Sequence, residues 1–400
     1  MPVNGRDGLD THPRVHETRD RVVLVHDYLL VMRGAERTFA AIADCWPEAP
    51  IATLLYDQRG TNGHFRGRAI TTSPLQALRL RQRGFRAMLP LFPLATETLR
   101  LPDADLVISS SSAFAHGVRT PPGAAHICYC YTPFRYVYHE SLQGIREAPS
   151  LLRPGLAKLL AMVRRWEDRA AQRPTAYIAI SQLTRRRIQE LWGRDAKVIH
   201  PPVDVHRFRV GKHEDFFLVV SELVRHKQVE VALEAARLAR RPIAVVGDGP
   251  DRRRLEARYG ASARFYGRVS DEQLAELYAR ARALVVPNVE EFGIAAVEAQ
   301  AAGRPVLALD MGGTRETVVP GLTGVLLSEQ SPRSFAEAMV YERFEQYDSQ
   351  LIRLNAERFS REEFQRKLLS EVARVSGVPS ILGPPTSSPR ERAPISTPTR

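Results

Sequence analysis

The sequence predicts an α/β protein made of two Rossmann-like, doubly wound domains that face each other across a cleft. Three observations carry this reading. The chain has 400 residues, more than one hydrophobic core holds, since domains run to about 100–200 residues. Short apolar runs alternate with longer amphipathic stretches along most of the chain, the pattern of parallel sheets with helices on both faces. The series then restarts after Pro201-Pro202-Val203-Asp204, which reads as a hinge.

In the first series the candidate strands are Val22–His26, Leu106–Ser109, Ala125–Cys130, Tyr177–Ile180 and Lys197–His200. In the second they are Phe216–Val220, Ile243–Val246, Arg264–Phe265, Ala283–Val286, Pro305–Leu309 and Val325–Leu327. They are continuous apolar runs, as strands buried on both faces require. Between them Glu36–Asp44, Glu230–Arg240, Asp271–Arg280 and Ile294–Ala302 show helical periodicity. The expected division is a disordered N-terminus at 1–20, a first domain at 21–203 and a second at 204–345. Helices at 346–375 are expected to cross back onto the first domain, and a Pro-, Ser- and Thr-rich tail at 376–400 to be disordered.

Composition narrows the function classes. The chain is 44% hydrophobic and 26% charged, ordinary for a globular protein. No apolar run approaches the roughly 18 residues of a membrane span, and Met1–Asp20 lacks the apolar core of a signal peptide. A cytoplasmic protein is expected, at most peripheral at the inner face of a membrane. Cys45, Cys128 and Cys130 are too few and too uneven for a disulfide framework. The net charge is +12, and with lysine confined to Lys158, Lys197, Lys212, Lys227 and Lys367, arginine carries nearly all of the basic charge. A GC-rich coding sequence, an anionic substrate or an anionic membrane surface each fit that excess. No helix-turn-helix, RNP-like or zinc-finger pattern accompanies it, so nucleic acid is not an expected partner.

The strongest candidate for chemistry is Pro287-Asn288-Val289-Glu290-Glu291-Phe292-Gly293-Ile294-Ala295-Ala296-Val297-Glu298-Ala299. A strand ends at Val286, a loop carries Glu290, and a helix begins near Phe292 or Gly293. Its free N–H groups and positive dipole end suit a diphosphate or sugar hydroxyls. Glu298 follows Glu290 by eight residues, so the two carboxylates reach different parts of one elongated ligand. Glu298 also lies among Ala295, Ala296, Val297, Ala299 and Ala301, where a carboxylate needs a partner.

This stretch resembles the E-x7-E signature of the retaining glycosyltransferases of family 4, the group 1 enzymes of GT-B fold, and within them a mannosyltransferase-like subgroup. Ala302-Gly303-Arg304-Pro305-Val306, Gly312-Gly313, Glu316, Gly321 and Gly324 follow in that family's order. Pro201-Pro202-Val203-Asp204, Gly247-Asp248-Gly249-Pro250 and Gly267-Arg268-Val269 precede it. The resemblance covers roughly Arg21 to Val372 and implies a metal-independent hexosyltransferase with a UDP- or GDP-linked donor, a lipid-linked or glycan acceptor and no further cofactor. By that resemblance Glu298 holds the donor ribose and Glu290 the transferred sugar. Backbone amides of Phe292, Gly293 and Ile294 meet sugar and phosphate, Gly267-Arg268-Val269 lies beside the nucleobase, and Lys227 neutralises the diphosphate. A GT-B epimerase or a non-catalytic nucleotide-sugar-binding protein are the alternatives. A phosphorylase would need a pyridoxal-binding lysine, which the scarcity of lysine disfavours.

Further candidates lie in the first half. His26-Asp27-Tyr28 and Arg33-Gly34-Ala35-Glu36 form a strand, loop and helix start in which Gly34 brings backbone amides toward the cleft. The family has Gly-Gly at Arg33-Gly34. His116, after Ser109–Ser112, is a candidate catalytic residue or a surface histidine. His126-Ile127-Cys128-Tyr129-Cys130 reads as a buried strand, because zinc sites draw ligands from separate segments. Tyr131 stands where the subgroup often has a cleft histidine, so its phenol is expected to serve the donor sugar. Glu222 stands where the family has an arginine, five residues before Lys227. A carboxylate beside a diphosphate repels it unless it points away, and Arg225 is a candidate to compensate. Finally, Leu75–Phe92 interleaves arginines with apolar residues, and Leu151–Trp166 does so more mildly, as in helices lying on anionic membranes.

Overall fold

The computed structural model describes residues 21–78, 88, 90–138, 150 and 153–377. The expected disordered ends, 1–20 and beyond Gly377, and Arg79, Arg81, Arg83 and Arg86 of the basic stretch lie outside the described residues. Among the described residues the chain forms two all-parallel sheets. The first is ordered β3-β2-β1-β4-β5-β6-β7 and the second β10-β9-β8-β11-β12-β13.

The first sheet comprises β1 (Val22–His26), β2 (Ile51–Thr53), β3 (Ile70–Thr72), β4 (Leu106–Ser111), β5 (Ala125–Cys130), β6 (Ala176–Ala179) and β7 (Ala196–Val198). Its helices are α1 (Gly34–Ala43), α2 (Phe92–Glu97), α3 (Arg153–Ala170) and α4 (Gln182–Trp192). β2 and β3 have no counterpart among the expected strands. Each is three residues long, and half-exposed β3 is the sheet edge, so neither leaves an apolar run to read.

The second sheet comprises β8 (Phe217–Val220), β9 (Ile243–Val246), β10 (Ala263–Gly267), β11 (Ala283–Val286), β12 (Val306–Leu309) and β13 (Gly324–Leu327). Its helices are α5 (Val229–Ala239), α6 (Arg252–Tyr259), α7 (Asp271–Arg280), α8 (Ile294–Ala301), α9 (Thr314–Thr317), α10 (Pro332–Tyr341) and α11 (Ser349–Glu357). α12 (Arg361–Ser376) then returns to the first domain. Phe364 meets Tyr129 of β5 edge to face at 5.7 Å, and the Gln365 side-chain amide donates to the Ala41 carbonyl at 3.0 Å. The Val203 N–H donates to the Phe359 carbonyl at 2.8 Å, tying the interdomain chain to the link just before this helix.

Strand order reverses direction between β1 and β4 in one sheet and between β8 and β11 in the other. Crevices open at such reversals, at the carboxyl ends of the strands. The two crevices face each other: a Cβ built on Gly34, the first residue of α1, would lie 3.0 Å from Ile294 Cδ1, the first residue of α8.

Candidate active site

The centre of the cleft is the loop from β11 to α8. Gly293 caps α8 with φ 95°, a left-handed conformation that favours glycine. No side chain caps that helix, so its first amides keep their donors for a ligand. By contrast, Ser181, Ser270, Ser331 and Ser360 each accept a backbone N–H at the starts of α4, α7, α10 and α12. Phe292 anchors the loop: it is 2% exposed, stacked on His200 at 5.3 Å and edge-on to Phe359 at 5.4 Å.

Gly312 and Gly313 seat this loop from behind. The Gly313 N–H donates to the Glu290 carbonyl at 2.8 Å. A Cβ on Gly313 would fall 2.2 Å from Phe292 Cα, and one on Gly312 2.4 Å from the Glu290 oxygen. Both are backbone clashes that no side-chain movement relieves.

Lys227, just ahead of α5, reaches across β8 and β11 to Glu290. Its Nζ lies 2.8 Å from each carboxylate oxygen, and Asn288 Nδ2 donates to the same group at 2.9 Å. Lys227, Glu290, Gly293, Ile294 and Gly34 are thus brought to one place. Glu298 lies a turn inside α8, accepting from Arg207 at 3.2 Å and from the Tyr278 hydroxyl at 2.9 Å. Burial raises its pKa, against the pull of Arg207 and then Tyr278. Arg207 also pairs with Asp271 at 3.1 Å, and Asp271 with Arg37 of α1 at 2.9 Å. A charged chain therefore runs from Glu298 to the other domain. Gly267, exposed Arg268 and half-buried Val269 sit at the carboxyl end of β10. Gly267 has φ +68°, and Arg252 Nη1 lies 2.5 Å from where its Cβ would be.

Two expectations are corrected. His116 is neither in the cleft nor on the surface. It is 1% exposed, enclosed by Trp192 at 5.0 Å and Trp166 at 5.9 Å, with Nδ1 3.2 Å from Ser111 Oγ. Burial, with smaller effects from His126 and Arg173, lowers its pKa to about 3, so the ring is neutral and structural. The Tyr131 hydroxyl donates to the Ala35 carbonyl at 2.8 Å and lies 2.9 Å from Ser110 Oγ. The phenol is thereby spent on holding the start of α1. Glu222 has a cation of the first domain beside it: Arg33 Nη1 sits 3.4 Å from both of its oxygens. The strand His126–Cys130 is buried as expected, with both cysteines free.

Other residues gained roles that the sequence did not announce. Asp27 is 1% exposed and accepts the backbone N–H groups of Ser112, Ala113, Phe114 and Ala115 at 2.6–3.0 Å, which shapes the loop after β4. Glu316 accepts from the Gln182 N–H at 2.8 Å and from His200 Nε2 at 2.9 Å, joining the second domain to the first. Arg187 of α4 pairs with Glu291 beside the central loop.

Comparison with known proteins follows these two halves. Residues 32–207 match the model for glycosyltransferase family 4, and residues 204–341 match the model for glycosyl transferases group 1. The chain is 32% identical over 201 residues to a D-inositol 3-phosphate glycosyltransferase of Frankia alni, covering 41% of this chain and 49% of that protein. It is 27% identical over 221 residues to the D-rhamnosyltransferase WbpZ of Pseudomonas aeruginosa, covering 52% and 57%. The chain thus spans about half the length of the curated relatives it matches. Among solved structures, Anabaena Alr3699/HepE in complex with UDP superposes with TM-score 0.65 at 17% identity, over 88% of this chain and 100% of that one. Sucrose-phosphate synthase from Thermosynechococcus elongatus superposes with TM-score 0.68 at 16% identity, over 90% and 100%. The fold is therefore GT-B.

Proposed function

For a chain of GT-B fold whose two halves match the models for glycosyltransferase family 4 and for glycosyl transferases group 1, we propose transfer of a hexose, mannose-like in the favoured case, from a UDP- or GDP-linked donor to a lipid-linked or polysaccharide acceptor. The observation that carries this reading is the uncapped start of α8, with Lys227 and Glu290 beside it and Glu298 a turn further in. That arrangement suits a nucleotide sugar whose ribose reaches Glu298, whose diphosphate meets the amides of Phe292, Gly293 and Ile294, and whose sugar meets Glu290. Gly267, Arg268 and Val269 would border the base. The solved neighbours bound to UDP and to UDP-glucose support a nucleotide-sugar donor.

In the mechanism we favour, the acceptor attacks from the face the diphosphate leaves, and a donor phosphate oxygen takes its proton, so configuration is retained. No protein nucleophile or metal is required. Lys227 and the α8 amides stabilise the charge that develops on the leaving diphosphate, a contribution that is usually the largest in such chemistry. Among the described residues no cluster of three or more His, Cys, Asp or Glu side chains is placed to hold a metal ion.

Thermal unfolding with UDP, GDP and ADP, each with and without chelator, tests the donor site. One diphosphate should stabilise the protein equally in both conditions, by about 2.7 kcal/mol at a hundredfold excess over its Kd. No shift with any of the three refutes the site. We further propose that the protein rests on anionic membrane at the inner face. Leu91, Leu94 and Met162 are 45%, 66% and 58% exposed, near the basic residues of α3. Among the described residues no helix is long and apolar enough to cross a membrane. Flotation with anionic vesicles should fall when Arg79, Arg81, Arg83 and Arg86 are changed to Gln, and equal flotation refutes the contact.

A further inference from the structure

Two cations stand at the convergence of α1 and α8, and each rests on a carboxylate. Lys227 belongs to the second domain and holds Glu290 at 2.8 Å. Arg33 belongs to the first domain and reaches across the cleft to Glu222. The side-chain charges of these four groups cancel. A diphosphate arrives with about two negative charges, and it can be neutralised if both cations change partners.

The two pairs are not alike. Lys227 and Glu290 are 24% and 21% exposed. Arg33 and Glu222 are 48% and 41% exposed, and 3.4 Å apart, longer than the 2.7–2.9 Å of a strong charge-assisted bond. An exposed pair of that length is weak and easily exchanged. One turn along α1, Arg37 meets Asp271 at 2.9 Å, and Asp271 is also held by Arg207. The domains are therefore fastened by Arg37, and Arg33 is not needed for that purpose. Arg33 is the residue before Gly34, and Gly34 abuts Ile294 at the mouth of α8. Its backbone is fixed there, since its N–H donates to Glu36 at 3.0 Å.

We propose that Arg33 is a second diphosphate-binding residue, supplied by the first domain, and that Glu222 is its counter-ion while the site is empty. The proposal rests on the donor-site reading above. It gives Glu222 a function: the carboxylate holds a mobile guanidinium near the site and releases it to the ligand. It also makes the diphosphate a bridge between domains, because Lys227 and Arg33 lie on opposite sides of the cleft.

Titration calorimetry with UDP and GDP on the full chain and on Arg33→Gln, Arg33→Lys and Arg37→Gln tests this. Arg33→Gln should weaken diphosphate binding by about 10- to 150-fold. Arg33→Lys should recover part of that loss, and Arg37→Gln should bind nearly as the parent does. If Arg33→Gln binds as the parent, the assignment of Arg33 is wrong while the donor site stands. If Arg33→Gln and Arg37→Gln lose affinity equally, Arg33 is only a strap between domains, and the proposal is also overturned. If Arg33→Gln fails to fold, Arg33→Lys beside Arg37→Gln decides: binding no better than Arg37→Gln, with both well below the parent, refutes the proposal. A parent chain that binds neither diphosphate overturns the donor-site reading itself, and this proposal with it.

Discussion

The Lys227–Glu290 pair makes opposite demands on its two members, so changing each gives a sharp test. In the structure the ammonium bonds both carboxylate oxygens at 2.8 Å, with about a fifth of each side chain exposed. A donor diphosphate takes over Lys227, and Glu290 turns to the sugar. Lys227→Ala removes a charge-assisted contact to the ligand, worth about 1.5–3 kcal/mol, or about 10- to 150-fold in diphosphate affinity. Glu290→Gln removes the competing partner. Without that partner the ammonium is left to the ligand, so diphosphate affinity should hold or tighten. Turnover should nevertheless fall in Glu290→Gln, because contacts to the reacting sugar strengthen as charge develops. Calorimetry with the diphosphate and steady-state kinetics with the sugar donor read the two effects separately. If Glu290→Gln loses as much diphosphate affinity as Lys227→Ala, the carboxylate belongs to the phosphate site and the reasoning fails.

Three further outcomes are expected. Glu298→Gln should raise KM for the donor with little change in kcat, because a ribose contact persists from ground state to transition state; a kcat loss at constant KM would reverse the assignments of Glu298 and Glu290. Gly313→Ala should displace the Glu290–Phe292 loop, since its Cβ would fall 2.2 Å from Phe292 Cα, and should abolish measurable diphosphate binding in calorimetry; normal binding would show that the loop is not held from behind. Burial pushes the Glu36 carboxyl up to about 7 from 4.5, against hydrogen bonds from its own and the Arg33 backbone N–H. The folded chain then keeps a proton that the unfolded chain has lost, so stability falls as pH rises from about 4.5 to 7, by at most about 3 kcal/mol. Denaturant melts at pH 5 and pH 8 should show Glu36→Gln gaining on the parent only at the higher pH, and a constant difference would refute it.

How far the sequence carried the structure depended on how local each signal was. Long apolar strands such as Val22–His26, Ala125–Cys130 and Ala283–Val286 were legible because strands buried on both faces leave unbroken apolar runs. β2 and β3 were not, being three residues each. Glu290, the helix start at Gly293 and Glu298 were legible as one motif, since a single loop and helix place them. Lys227 was legible as a candidate, but its partner Glu290 lies 63 residues away. His116 was misplaced because the two tryptophans that enclose it come from α3 and α4, far along the chain. The partner of Glu222 was out of sight for the same reason: Arg33 is 189 residues earlier. Asp27 carried no signal beyond being a polar residue at a strand end, although it organises four backbone amides. Motifs carried by one loop and the helix that follows it are visible in sequence, and charge pairs across a cleft are not.

The cleft at the start of α8 is proposed to hold a nucleotide sugar and to pass its sugar on. Mass spectrometry of reactions with a panel of UDP- and GDP-sugars, run with the parent chain and with Lys227→Ala, tests it most directly. One donor should be consumed by the parent, releasing its nucleoside diphosphate, and Lys227→Ala at the same donor concentration should consume it at least tenfold more slowly. A parent chain that binds a nucleotide sugar yet neither hydrolyses nor transfers it would contradict the account and leave a binding protein in its place.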